Sequence, residues 1–398
     1  MRLLKRFCLP MRWIGLPMLF FFLCFVSTGW RQAQAQTKSR VVTFDAPGAG
    51  TAPNQGQGTF PAQITNSGLT VGNYVDANGV NHGFVRDPDG RITTFDAPSA
   101  GTGAGEGTIP NGITDAGIVV GGVFDGSGVF HGFFGRPGGH FTIFDAPGAG
   151  TAPNQGTNAT AINSEGTISG DYVDANDVPH GYVRFRDGKI TSFDPSGSVF
   201  TAADTLGINR VGVITGPYLD ANGVVHGFVR VPDGRIITFT APGAGAGPGQ
   251  GTVPSMISDM GTIPGAYLDA SNVFHAFLRF ADGTLSTFDV PGAGTGPFQG
   301  TLANATNLPG ITAGVFTDAN GVSHAFTRTP GGKNFFFDAP GQGIQATLTL
   351  SINCSGVVTG FFVDANGVNH GFLRFPSRIE GSPEHDDFLC RFSGSPNE

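Results

Sequence analysis

The chain has 398 residues and a net charge of −8, with 64 glycines, 27 prolines and 36 phenylalanines beside only 13% charged residues. So much glycine excludes long amphipathic helices, which draw on Ala, Leu, Glu and Lys. The absence of glycine at every third position excludes collagen, and 11% aromatic residues exclude plain disorder. A turn-rich all-β protein remains.

Residues 1–35 read as a secretory signal peptide. Arg2, Lys5, Arg6 and Arg12 form a basic start, residues 13–26 are almost wholly apolar, and Ala33-Gln34-Ala35 supplies a small-residue cleavage site. The apolar run is about 14 residues, short of the roughly 20 that a spanning helix needs, so no stable membrane insertion is expected after cleavage. The expected location is secreted: periplasmic, extracellular or at the cell surface. The segment holds five basic and no acidic residues, so cleavage takes the net charge from −8 to −13. That balance argues against nucleic acid as a partner. Cys8 and Cys24 leave with the leader. Cys354 and Cys390 remain, a candidate disulfide pair in an oxidising compartment.

Residues 36–375 carry one pattern seven times. Phe-Asp-Ala-Pro and its variants begin at Phe44, Phe95, Phe144, Phe193, Phe239, Phe288 and Phe337. A His-Gly/Ala-Phe/Tyr motif begins at His82, His131, His180, His226, His275, His324 and His370. An Asp precedes each His by six residues: Asp76, Asp125, Asp174, Asp220, Asp269, Asp318 and Asp364. One unit reads as four short strands, at 62–65, 69–75, 80–86 and 91–96. Asp76-Ala77-Asn78-Gly79 and Asp87-Pro88-Asp89-Gly90 suit tight turns closed by a left-handed glycine. A long Gly-rich loop leads to the next unit. Four antiparallel strands at this repeat length are the signature of a β-propeller blade.

Chain order predicts how the ends meet. Residues 41–47 read as a fourth strand with no unit before it, and residues 370–374 as a third strand with no fourth after it. An N-terminal strand that completes the last blade removes both exposed edges. The expectation is therefore a monomeric, all-β, seven-bladed β-propeller closed in this way, with residues 376–398 as a tail. Two alternatives stay open: an open solenoid, and residues 388–392 filling the same place.

The chain resembles the probable extracellular repeat proteins named for their His-Ala-Phe (HAF) repeat. His275-Ala276-Phe277 and His324-Ala325-Phe326 match the name literally, while the other five copies carry Gly in the middle. The resemblance spans about residues 41–375. It implies export and no particular activity.

Residues present in every unit are read as scaffold. The third strand lies two strand spacings, about 10 Å, outside the channel strand, so the seven histidines cannot share one metal ion. Asp76, Tyr74 and His82 are expected to form one polar cluster. No cofactor, metal site or catalytic group is assigned. Glu165, Asp171, Asp204, Arg210, Asp259 and His140 are unique to their units, but nothing in the sequence joins two of them. Ligand contacts are sought in the long loops, which share one face. Gln55, Glu106, Gln155, Gln250 and Gln299 each precede a glycine there, and Phe298 lies beside them. Such a face suits a protein or a glycan. The reading is a non-enzymatic binding scaffold; the alternatives are a structural surface protein, or a propeller hydrolase or lyase acting on polysaccharide.

Overall fold

The structure is a computed structural model that describes residues 39–201 and 207–377. The leader 1–35, Asp204, Cys390 and the tail beyond Ser377 lie outside the described residues. Among those described there are 29 strands and no helix. Strand β1 (Arg40–Phe44) precedes the first unit, which comprises β2 (Gly58–Ile64), β3 (Thr70–Val75), β4 (Asn81–Arg86) and β5 (Ile92–Phe95). These four pair in sequence as an antiparallel meander. Six further units follow. In the fourth, the first strand appears as Ser198–Thr201 and Gly207–Ile208.

The first strand of a unit is longer than its sequence suggests. It starts at Gly58 rather than at residue 62, and a bulge between Pro61 and Gln63 breaks its register with β3. The bulge disturbs the alternation by which a strand is recognised, and the Gly-rich loop before it hides its beginning.

The recurring motifs have separate structural duties. Asp76 Oδ1 accepts the backbone N–H groups of Asn78 at 2.8 Å and Val80 at 2.9 Å, so it shapes the turn between β3 and β4. The third residue of His-Gly-Phe is the core of its unit. Phe84, Phe133, Tyr182, Phe228, Phe277, Phe326 and Phe372 are all completely buried. The glycine that follows five of the seven histidines lies under the Phe of Phe-Asp-Ala-Pro; a Cβ on Gly83 would stand 2.5 Å from the Phe95 ring.

Neighbouring units interlock through three devices. The Arg that ends the third strand lies over the Phe-Asp-Ala-Pro ring of the preceding unit: Arg230 is 5.1 Å from Phe193, Arg279 5.1 Å from Phe239 and Arg328 4.5 Å from Phe288. The second unit has Gly135 at this position, and Phe141 replaces the guanidinium by stacking on Phe95 at 5.2 Å. The Thr after the first-strand glycine accepts the alanine N–H of Phe-Asp-Ala-Pro, as Thr108 does from Ala97 at 3.0 Å. Side chains of the turn between first and second strands reach the next unit, as when Asn307 Nδ2 donates to Asn353 O at 3.0 Å.

The last unit contains Gln342–Ile352, Val358–Asp364 and Asn369–Phe375. β1 pairs antiparallel with the last of these, Arg40 opposite Phe375 and Phe44 opposite Gly371. The inter-unit contacts recur between last and first units. Asn353 Nδ2 donates to Thr65 O at 3.2 Å, Arg86 lies 5.1 Å from the Phe44 ring, and Gly58 bridges Asn369. Cys354 is buried beside this junction and is disulfide-bonded; the other three cysteines lie outside the described residues.

Candidate functional site

The histidines stand on the outer half of each unit, about a quarter exposed. Each Nδ1 meets the residue after the Phe-Asp-Ala-Pro phenylalanine: Asp96 for His82 and Asp145 for His131 at 2.9 Å, Asp194 for His180 and Asp289 for His275 at 2.8 Å. His324 meets Asp338 at 3.1 Å, His370 meets Asp45 at 2.9 Å, and His226 meets Thr240 at 3.0 Å. Each Nε2 faces the turn aspartate, from 3.4 Å at His131 and His226 to 3.7 Å at His82. Tyr74 does join this cluster, stacked on His82 at 5.0 Å. The closer carboxylate, Asp96, went unrecognised in the sequence, although its spacing of 14 residues from the His recurs.

Electrostatics follow from these contacts. The hydrogen bond that His324 donates to Asp338 raises the His324 pKa against the opposing effect of burial, and the charges of Asp338 and Asp318 add to it. Burial pushes Asp125 up, but bonds from the Val129 and Ser127 amides, the Ser127 hydroxyl and His131 outweigh it and bring the carboxyl down to about 2. The arrangement fastens the third strand to the fourth. Among the described residues, no group of three or more His, Cys, Asp or Glu is placed to hold a metal ion.

The long loops use their amide side chains internally. Gln155 Oε1 accepts from Ala152 N at 3.1 Å, and its Nε2 donates to Asp177 at 2.7 Å. Gln250 and Gln299 likewise accept from Gly247 and Gly296 and donate to Ala270 O and Ala319 O. The first-unit member of this set is Gln57, not Gln55. Gln57 is buried, accepts from Ala52 N and donates to Ala77 O, whereas Gln55 is exposed. The preceding loop is two residues longer there and contains Gln-Gly twice, so two positions compete for the same register. With their oxygens bonded within the loop and their amide N–H groups to the adjoining turn, these side chains act as loop staples rather than as free ligand contacts. Phe298 is different: its ring is half exposed, its backbone has φ of 61°, and it touches Phe274 at 6.5 Å.

Glu106 occupies the staple position with a carboxylate. It accepts from Gly103 N at 2.7 Å but has no N–H to offer the turn of the second unit. Glu106→Gln is expected to stabilise the protein by about 1 kcal/mol, the net worth of one added hydrogen bond. A urea-unfolding midpoint equal to or below that of the wild type would show that the turn carbonyl has another donor.

Open chemistry lies on the opposite face, where first-to-second and third-to-fourth turns of neighbouring units meet. A cleft of about 140 Å³ separates the third and fourth units, lined by Asn163, Glu165, Phe185, Arg210, Val211 and Pro232 among others. Its backbone is fixed. Glu165 N donates to Asn163 Oδ1 at 3.1 Å, Arg210 N to Asp259 Oδ1 at 2.8 Å, and Asn163 Nδ2 to Asn209 O at 3.2 Å. The Glu165 and Arg210 side chains are exposed and form no ion pair among the described residues. Val211 beside them is 66% exposed. The fold thus joins two residues that the sequence left apart. Asp171 is instead buried within the third unit. A second cleft, of about 250 Å³, lies at the equivalent place between the first and second units.

No family model matches the chain, and no curated protein matches it. Solved structures do, at low identity. A lectin from Burkholderia pseudomallei has a TM-score of 0.52 at 12% identity, over 78% of this chain and 93% of its own. Puromycin hydrolase has a TM-score of 0.50 at 14% identity, over 77% of this chain and 50% of its own, so the chain spans half the length of that enzyme. The lectin of Aleuria aurantia, described as a six-bladed β-propeller, has a TM-score of 0.40 at 12% identity, over 75% and 95%. The first two likenesses are of fold: an all-β repeat architecture of the β-propeller kind.

Proposed function

We propose that this β-propeller-like protein is an exported, non-enzymatic scaffold that binds a neutral glycan in the cleft between its third and fourth units. The observation that carries the reading is that a carboxylate, Glu165, and a guanidinium, Arg210, both without an ion pair among the described residues, line one cleft with Phe185, Val211 and Pro232. A sugar ring offers hydroxyls that donate to the first and accept from the second, while its C–H face covers apolar carbon. Such clefts join an apolar lining to a few placed polar groups, as small-ligand sites do. The lectin neighbour agrees with this reading through its fold alone.

The architecture within this reading is a seven-bladed propeller of the His-Ala-Phe repeat type, its ring closed by β1. The repeated histidine columns and the pairing of β1 with Asn369–Phe375 support it. Export agrees with the leader-like first 35 residues and with the disulfide at Cys354, for which Cys390 is the partner left once the leader is cleaved.

The test is a glycan array on the chain from residue 36, followed by titration of the best neutral ligand. Arg210→Ala or Glu165→Ala is expected to weaken binding about tenfold, since a hydrogen bond to a charged group contributes roughly 1.5–3 kcal/mol. Unchanged affinity in both variants would remove the cleft from the reading.

A further inference from the structure

We infer that the cleft between the first and second units is a second binding site, selective for a saccharide carrying a carboxylate, such as a uronic acid. It goes beyond the neutral-glycan reading, because it concerns a different cleft and a different ligand class.

The two clefts occupy the same place in the repeat, so differences between them reflect the side chains each carries. Leu69 and Val85 stand where the other cleft has Thr167 and Val183, and Pro137 stands where it has Pro232. The first-to-second cleft is the larger, about 250 against about 140 Å³. Arg230 lines the smaller one, while the second unit carries Gly135 in that register.

The charges also differ in kind. Ser67 replaces Glu165, so the free carboxylate is gone. The acidic groups nearby are each engaged. Asp87 Oδ2 accepts from Arg91 Nε at 2.9 Å and Nη2 at 2.6 Å, Asp89 accepts Arg91 N at 3.0 Å, and Asp115 accepts Ser67 N at 2.8 Å. Arg136 lines the cleft, is exposed, and has no ion pair or side-chain hydrogen bond among the described residues. Its planar fork matches a carboxylate with two parallel bonds. Arg91, ion-paired with Asp87 at 2.6 Å, lines the same cleft. Leu69, Val85 and Pro137 give a ring face somewhere apolar to lie. A neutral sugar would leave Arg136 without a charged partner, and a cationic one would meet it with repulsion.

The experiment is calorimetric titration of the chain from residue 36 with trigalacturonate and with its methyl ester, which keeps the rings and removes the charge. The acid is expected to bind at least tenfold more tightly than the ester, and more weakly as salt rises. Arg136→Gln should lose about tenfold for the acid, while Arg136→Lys keeps part of the affinity. Equal binding of acid and ester, or an Arg136→Gln variant with wild-type affinity, overturns the proposal. A chain that binds a neutral glycan through Glu165 and Arg210 but ignores trigalacturonate also overturns it, and leaves the other cleft's role intact. The converse, uronate binding through Arg136 with no neutral ligand, supports this site and rejects the other.

Discussion

A chain that begins at residue 50, and so lacks β1, is expected to unfold well over 10 °C below one that begins at residue 36. β1 contributes far more than five residues of pairing. Phe44 lies against the bare Gly371, meets the Phe84 ring edge-on at 6.0 Å, and carries Arg86 over its face. Asp45 holds His370 at 2.9 Å, and Ala46 N donates to Thr59 at 3.0 Å. Removing the strand exposes the edge of Asn369–Phe375, strips the cover from the fully buried Phe84, and strands the Arg86 guanidinium. Phe44 is only partly buried, so its own loss costs less than the about 3–5 kcal/mol of a fully buried aromatic, but the lost pairing and the bared Phe84 add to it, and each 1 kcal/mol moves the midpoint of a large domain by roughly 2–4 °C. Scanning calorimetry on the two chains makes the comparison. Coincident midpoints would mean that another segment takes the strand's place beside Asn369–Phe375.

Gly156→Ala is expected to destabilise the protein by about 4 kcal/mol, whereas Gly249→Ala costs about 1 kcal/mol. Both glycines have left-handed backbones, with φ of 115° and 78°, and an alanine there costs roughly 1–2 kcal/mol in strain. The difference is space. A Cβ on Gly156 would stand 2.0 Å from Phe130 O, while one on Gly249 meets nothing within 4 Å. The obstacle at Gly156 is the backbone of the preceding unit, at the single parallel bridge between the two, so relief requires the units to part. Gly58, Gly107, Gly251 and Gly300 repeat the same clash at 2.0 Å. Urea-unfolding midpoints measure both variants. Equal losses would show that the bridge opens freely, and that backbone conformation alone demands glycine.

Much of the architecture was legible because it recurs. The Phe-Asp-Ala-Pro and His-Gly-Phe spacings locate every unit, and the unmatched fourth strand at the N terminus points to its partner near residue 370. The His–Asp bond was equally periodic, yet its members belong to two different motifs, and in the last unit to opposite ends of the chain. Gln57 was missed for a local reason: Gln55-Gly56 and Gln57-Gly58 look alike, and only the Thr59 that follows fixes the register. The clefts were beyond reach for a deeper reason. They arise between turns of neighbouring units, from residues such as Glu165, Arg210 and Arg136 that break the repeat. A comparison of units marks Glu165 and Arg210 as unlike their counterparts but cannot bring them together, and it passes over Arg136.

The stapled loops bear on survival outside a cell. By composition they look like linkers that a protease would enter at once. In the first of them, Ala49 N is bonded to Ala46 O, Gly50 N to Val75 O and Ala52 N to Gln57. Similar bonds hold Gly101 to Phe124 and Gly105 to Gly79 in the next. Cleavage needs backbone drawn out and unpaired in an enzyme's groove, so the staple must first release and the loop must leave two units at once. Digestion of these segments would then follow cooperative opening rather than local fraying, and resistance to digestion would be shared around the molecule instead of residing in any one loop.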